Sequence, residues 1–598
     1  MKTAFFQSFD NSSDREETPF RLSMVQAELK TNRLSGYLVP RSDVHQGEYV
    51  AACDERLSWL TGFTGSAGIC VVGKDSAGIF VDGRYSIQAR KQTKSTFEIV
   101  QWDKENFFQW IEKNIEKGKI GFDPWLHSYK EIISLSEAFA HTDISFAPSE
   151  NLIDKVWLNR PAKTSSKAIN YPAELAGLSA KEKCQKITEN IKFKKANSAV
   201  ITLPDSIAWL LNLRGNDVIH NPILHAFLII DSEGYVKIFC KNGSLLHSVN
   251  SLKSFVKVFP MENFETTLAE LSGSVLMDET TAPFAAVKIL QANGIEPMMG
   301  EDPIILPKAC KNPVEIGHAR ICHKRDAIHM CEFLSWLDMQ NENEFDEIDV
   351  VIELENFRRK DKNLQEISFD TIAASGPNAA LPHYRVNYSS NRTIKKGDVL
   401  LVDSGGQYLD GTTDITRTIA IGKQSQEVKN AFTRVLKGLI AISKLKFPSG
   451  TSGRDIDAFA RAPLWQFGQD YAHGTGHGVG HYLSVHEGPQ RISKFSDVEF
   501  KEGMIVSNEP GFYKEGKFGI RIENLILVRN AELEAETSFL EFETLTFVPI
   551  DRRLISINLL DAHEHEWINN YHNQCWKRSQ DYVTPPTKAW LKTMTQPL

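Results

Sequence analysis

The segment from His473 to His486 reads HGTGHGVGHYLSVH, with glycine at every second position from Gly474 to Gly480. Glycine at that density excludes a helix, and the alternation leaves an extended chain with His473, Thr475, His477 and Val479 on its other face. Bare backbone beside imidazoles suits a ligand site, and it also suits a glycine-lined packing strand with solvent-facing histidines. The flanking sequence separates the two. Val399-Leu400-Leu401-Val402 reads as a buried strand ending in Asp403, Tyr408-Leu409-Asp410-Gly411 as a turn, and the return strand begins with Asp414. The run Met504 to Glu509, a turn near Gly516 and the run Phe518 to Glu523 repeat that construction. Folding about these turns is expected to set Asp403 nearly opposite Asp414, and Glu509 opposite Glu523.

Directly opposed residues on paired strands have Cβ atoms roughly 5 Å apart, so like charges there repel unless something neutralises them. Two divalent cations about 3.5–4 Å apart, held by four carboxylates and one imidazole, would supply the missing positive charge. Oxygen-rich ligation with a single histidine favours Mn²⁺, Co²⁺ or Zn²⁺ over a thiolate-bound metal. Paired cations lower the pKa of water between them towards neutrality, and Glu509, a ligand that also accepts protons, is the expected general base and later donor to the leaving nitrogen. His383 and His486 exceed the needs of a two-metal site. The role expected first for His486 is donation to a scissile carbonyl as it becomes an oxyanion, and for His383 orientation of the substrate. His473 is expected to line the substrate pocket. Arg521 alternates with Glu523, shares its face, and is expected to fix a neighbouring carboxylate.

Asp403, Asp414, His477, Glu509 and Glu523, together with His383 in LPHY, His473 in HGTGH, His486 in VHEGP and Arg521 in GIRIE, resemble the signature of the creatinase-like "pita-bread" metallopeptidases. Over nearly its full length the chain is similar to the long, three-domain Xaa-Pro aminopeptidases (aminopeptidase P). The resemblance implies two divalent ions per subunit, manganese by preference, with Asp414 and Glu523 bridging, Asp403 completing one ion, and His477 with Glu509 completing the other. It implies peptide substrates with proline in second position, a homodimer, and substrate contacts from His383, His486 and Arg84, the last in the word DGRY. His481 continues the histidine face where that family varies, and it is expected to be a packing or surface residue.

The resemblance implies an α/β chain with two creatinase-like N-terminal α/β domains, residues 1–162 and 163–311, ahead of an α+β pita-bread domain, residues 312–551. A C-terminal extension, residues 552–598, is expected to pack on that domain. The residues agree with this division. A helix near Leu22–Leu34, strands at Gly36–Val39, Ala67–Val72 and Gly78–Val81, and a helix after Tyr85 form one α/β unit. Trp157 to Lys163 reads as a linker. A helix near Leu178–Lys192, a strand Ala199–Leu203 and a helix Ile207–Leu211 begin a second unit, whose similar element order suggests an internal duplication. Asn312-Pro313-Val314-Glu315 carries a cap residue, proline at the first helical position and glutamate three residues after the cap, which predicts a long helix through about Gln340.

The 598 residues exceed what one core supports. A net charge of −8 argues against nucleic acid or an anionic membrane as partner. No apolar run approaches the roughly 20 residues that span a bilayer, the first residues lack a secretory pattern, and eight cysteines without framework spacing fit a reduced compartment. A cytoplasmic protein is expected. Two other readings share these features: an Xaa-Pro dipeptidase (prolidase), which uses the same five ligands with fewer domains, and a catalytically silent peptide-binding relative, which would usually lack ligands.

Overall fold

The computed structural model describes residues 2–11, 13–163, 165–241, 252–341 and 344–598. The chain divides into two compact units, Ser12–Ile305 and Met1–Asn11 with Leu306–Leu598.

In the first unit, two six-stranded sheets have the same pairing plan. One is ordered Glu98–Gln101, Ala77–Val81, Ile69–Gly73, Gly36–Pro40, Gly118–Phe122, Ile144–Pro148. The other is ordered Val256–Pro260, Val236–Cys240, Ala226–Asp231, Ser198–Ile201, Val275–Met277, Met298–Met299. Gly36–Pro40 and Ser198–Ile201 each pair antiparallel on one side and parallel on the other. The duplication expected from element order is therefore present strand for strand. The central strands are buried along their whole length, which their Val, Ile and Phe content dictates. The two sheets belong to one unit because backbone bonds join them: Tyr129 N donates to Ala282 O at 2.9 Å and Phe284 N to His127 O at 2.9 Å.

The second unit opens on a helix, α1 (Pro313–Asp338). Asn312 accepts from the amides of Val314 and Glu315, and the Glu315 carboxylate returns to the Asn312 amide, so the capping box starts the helix where the sequence predicts. Strands β1 (Ile372–Ser375), β2 (Val399–Ser404) and β5 (Ile415–Ala420) make a three-stranded sheet, and β3 (Gly406–Tyr408) with β4 (Gly411–Thr412) extends the β2–β5 hairpin to its turn. A six-stranded sheet contains β6 (Gly476–Gly478), β7 (Glu487–Ile492), β8 (Ile505–Asn508) and β11 (Asn524–Asn530), while β9 (Gly511–Lys514) and β10 (Phe518–Arg521) form the ribbon between β8 and β11. Behind the ribbon, helix α2 (Gln426–Ser443) buries Phe432, Val435, Leu436 and Leu439 against Ile520 and Ile522. The C-terminal extension contributes Ile568, Tyr571 and Cys575 of helix α3 (Ala562–Ser579) to this same core. Fully burying such side chains contributes about 1.5–3 kcal/mol each, so the extension is part of the unit's core and not a peripheral tail.

Residues 2–11, expected with the first α/β domain, pack instead on the second unit. The Glu355 carboxylate accepts the amides of Phe5, Phe6 and Gln7 at 2.8, 3.1 and 3.2 Å. Gln7 receives the Thr371 amide on its side-chain oxygen and donates to the Thr371 carbonyl, and Lys2 pairs with Asp346 and Asp349. Three converging amides hold this segment more firmly than its own lack of secondary structure could.

Candidate metal centre

The hairpins place the carboxylates. In the second hairpin two ladders, one ending at Asn508↔Asn524 and one beginning at Gly511↔Arg521, share one register, and counting between them sets Glu509 opposite Glu523 as expected. In the first, Asp403 faces Thr416, not Asp414. The two-residue turn Leu409-Asp410 fixes this register, since Tyr408 pairs with Gly411, and counting outward makes Gly405 the partner of Asp414. Asp403 and Asp414 are thus diagonal neighbours on one face, displaced by two residues. Gly405 is required there: a Cβ on it would lie 1.9 Å from the Thr413 carbonyl oxygen. The glycine-alternating stretch forms a strand over only Gly476–Gly478, shorter than the extended run the spacing predicts, because the β6–β7 register breaks between His477 and Gly478.

Asp414, His477 and Glu523 each turn a ligand atom into one cluster, all within 4.8 Å of one another. His477 Nδ1 donates to the Gly478 carbonyl at 3.0 Å, which points Nε2 towards Asp414 Oδ2 and Glu509 Oε1, 3.5 Å from each. Ser507 Oγ accepts the His477 amide at 2.9 Å and donates to Glu509 at 3.0 Å. Asp403 is held by Arg521, whose Nη2 donates to Oδ2 at 2.5 Å. The same guanidinium donates through Nε to Thr416 Oγ1 at 3.1 Å, and Thr416 donates onward to Glu523 Oε2 at 2.8 Å. Arg521 therefore binds one candidate ligand directly and a second through Thr416. Its remaining nitrogen donates to the Tyr513 hydroxyl at 2.6 Å, and that hydroxyl meets His473 Nε2 at 2.9 Å.

The electrostatics are those of a site built for added positive charge. Burial, then repulsion from Asp414, Glu509 and Asp403, pushes the Glu523 carboxyl well above its usual range. Burial raises Asp414 to about 6, against the help of His477. Desolvation pulls the His477 imidazole down, but Asp414 and Glu509 outweigh it and lift it to about 9. Asp403 Oδ1 and Glu523 Oε1 are buried without a hydrogen-bond partner. An orphaned buried carboxylate oxygen costs roughly 1–3 kcal/mol or more, and a divalent cation removes that cost. The donor set of carboxylate oxygens with one imidazole fits such an ion.

Other expected site residues fall as follows. The His486 ring sits edge-to-face against His477, centroids 4.3 Å apart. His383 is half-buried and lies three residues past the short helix Gly376–Ala380, which packs on β10. His473 is half-buried and tied to Tyr513, and His481 is 3% exposed. Arg84 lies in the first unit, where its guanidinium forks onto Asp82 at 2.9 and 2.7 Å and lies over the Tyr85 ring. The sequence reading missed Thr416, Ser507 and Tyr513. Two of them carried a signal: Thr416 is two residues from Asp414 and Ser507 two from Glu509, on the same strand faces.

Comparison with known proteins agrees with this chemistry. Residues 318–530 match the description Metallopeptidase family M24, and residues 21–156 and 159–315 each match Creatinase/Prolidase N-terminal domain. Residues 538–598 match the C-terminal region of peptidase M24. A protein of Talaromyces marneffei described as probable Xaa-Pro aminopeptidase P is 38% identical over 631 residues, covering 100% of this chain and 96% of that one. One of Paracoccidioides lutzii with the same description is 38% identical over 97% of this chain and 99% of its own. The crystal structure of X-prolyl aminopeptidase from Caenorhabditis elegans, described as a cytosolic enzyme with a di-nuclear active site, superposes with a TM-score of 0.93 at 31% identity, covering 98% of this chain and all of that one. A metallopeptidase of pita-bread fold behind two creatinase-like domains is the class that fold and site define. Within it, the chain belongs to the Xaa-Pro aminopeptidase P family.

Proposed function

We propose that the protein removes the first residue from peptides whose second residue is proline, using two divalent ions held by Asp403, Asp414, His477, Glu509 and Glu523. The observation that carries the reading is the cluster of ligand atoms within 4.8 Å beside two buried carboxylate oxygens that lack partners. When bound, the ions acidify water and polarise the scissile carbonyl. Glu509, steadied by Ser507 and facing the His477 imidazole, takes the proton of the attacking water and passes it to the prolyl nitrogen. His486 donates to the carbonyl oxygen as charge develops there, and His383 orients the substrate. Arg521 keeps Asp403 and, through Thr416, Glu523 in place while the acidic cluster attracts the substrate's free amine. His473, fixed by Tyr513, lines the peptide's path, and Arg84 is a further substrate contact.

A prolyl nitrogen carries no hydrogen and its φ is fixed, which defeats peptidases that grip extended backbone and selects for one that reads the ring and the free amine. Oxygen-rich ligation and the family point to manganese. A homodimer in the cytoplasm completes the reading. All eight cysteines are free, and among the described residues no helix is long and apolar enough to cross a membrane. We further propose the domain limits 1–162, 163–311, 312–551 and 552–598, with residues 2–11 returning to the third. The test is a steady-state comparison of Arg-Pro-Pro with Gly-Pro at controlled Mn²⁺, alongside metal analysis and sedimentation. Turnover of the tripeptide with two ions per subunit supports the aminopeptidase. Turnover of Gly-Pro alone makes it a dipeptidase, and no bound ion with no turnover makes it a silent relative.

A further inference from the structure

Next to His486 lies a buried charge cluster that the proposed chemistry does not use. Glu487 is 2% exposed, with one carboxylate oxygen hydrogen-bonded and the other ion-paired without a hydrogen bond, each to a buried lysine. Lys308 Nζ lies 2.9 Å from Oε2, and Lys311 Nζ donates to Oε1 and also to the Lys308 carbonyl at 3.0 Å. The lysine-bearing segment is itself anchored, since Lys311 N donates to Gly503 O at 2.9 Å and Cys310 bridges to Met504 just ahead of β8.

Two ammonium groups against one carboxylate, all out of water, are not the arrangement that maximises stability. Desolvation costs several kcal/mol per ion, and apolar replacements of similar volume are often neutral or stabilising. What the cluster does give is direction. A buried carboxylate hydrogen-bonded at one oxygen and ion-paired at the other loses most of its rotamer freedom, and Glu487 is the first residue of β7, one peptide bond from His486. Its backbone also seats β6: Glu487 pairs with Gly478, and a Cβ on Gly478 would lie 2.3 Å from the Glu487 carbonyl oxygen. Gly478 follows His477, whose ring meets that of His486 edge-to-face. One residue thus joins the strand ends that carry both imidazoles, its side chain held by the lysines and its backbone paired with Gly478.

We infer that Glu487, clamped by Lys308 and Lys311, is a positioning residue that holds His486 against His477 for the reaction. The inference rests on the role proposed for His486, and a double-mutant cycle separates the two. In the full-length, metal-loaded protein, Glu487→Gln is expected to lower kcat on Arg-Pro-Pro on the order of 10-fold with KM changed by less than about 3-fold, and in the His486→Ala background to lower it by less than about 3-fold. Metal content should stay at the wild-type level in both. Lys308→Met, which releases one oxygen of the clamp, should show the same non-additivity with a smaller effect, and it serves as the variant if Glu487→Gln does not fold. If the effects of Glu487→Gln and His486→Ala multiply, or if the variants lose thermal stability with kcat intact, Glu487 is a packing residue and the inference falls. If His486→Ala itself leaves kcat unchanged, the assignment of His486 falls and takes the clamp with it.

Discussion

The two units bury charge in opposite ways. In Ser12–Ile305, Arg56 reaches Asp54 at 2.9 Å and Asp154 at 2.7 and 3.1 Å, and Arg160 closes the set on the same two carboxylates. Two cations meet two anions there and each finds its partner. In the metal centre, Asp403, Asp414, Glu509 and Glu523 face one guanidinium and one imidazole, and two of their oxygens are orphaned. Complete pairing marks a cluster that serves the fold. Incomplete pairing in the more deeply buried cluster is what a missing partner from outside the chain would leave.

The contrast can be broken at several points. The largest effect is expected for Glu509→Gln, which should lower turnover roughly 10²–10⁴-fold while bound metal persists; near-normal turnover would remove Glu509 as the base. In the N-terminal unit, Arg56→Met leaves Asp54 and Asp154 to Arg160 alone and should cost about 1–3 kcal/mol, read by denaturant unfolding, with metal content unchanged. Asp414→Asn should do the reverse in chelator-treated protein. It removes one of the crowded anions, so it should stabilise the metal-free state by roughly 1–3 kcal/mol while abolishing tight metal binding. A loss of stability would mean that the centre is satisfied without ions.

The smallest effect, and the sharpest in sign, is in pH. Asp414 is raised from its ordinary value near 3.8 to about 6 and His477 from 6.5 to about 9, so their contribution to the metal-free second unit is full below about pH 4 and lost as pH rises through 6 and then 9. The Asp43–His45 site of the first unit should show the opposite trend. Burial of Asp43 is outweighed by His225 and His45, which hold its carboxyl below the ordinary range, and desolvation brings the His45 imidazole down to about 3. Stability there is present at neutral pH and lost on acidification. Hydrogen exchange of the amides around Asp43–His45 and around Asp414–His477, with and without Mn²⁺, should give slopes of opposite sign, and metal should flatten only the second.

Residue order conveyed some of this and not the rest. The Asn312 capping box marked the start of α1 to the residue, because a cap is a local device, and its end at Asp338 fell within two residues of expectation. The pairing of Glu509 with Glu523 was legible because β8, the ribbon and β11 keep one register. Asp403 against Asp414 was not, although the turn Leu409-Asp410 contained the answer for anyone counting outward from it. Glycine alternation correctly excluded a helix but overstated the strand, since the register breaks where the partner strand skips from Arg491 to Glu487, which alternation does not show. The Arg521–Thr416–Glu523 relay and the seat of residues 2–11 depend on contacts across 105 residues or more, which no local pattern carries.

The leading segment has a consequence for how the molecule is made. Phe5 is 350 positions ahead of the carboxylate that receives its amide. On the ribosome these residues emerge 350 positions ahead of Glu355 and find nothing to dock on until it follows, so they are made long before they can settle. A fragment begun at Leu306 would leave Glu355 without the three amides it accepts, and the half of the protein that holds the proposed metal centre cannot be obtained intact by a single cut.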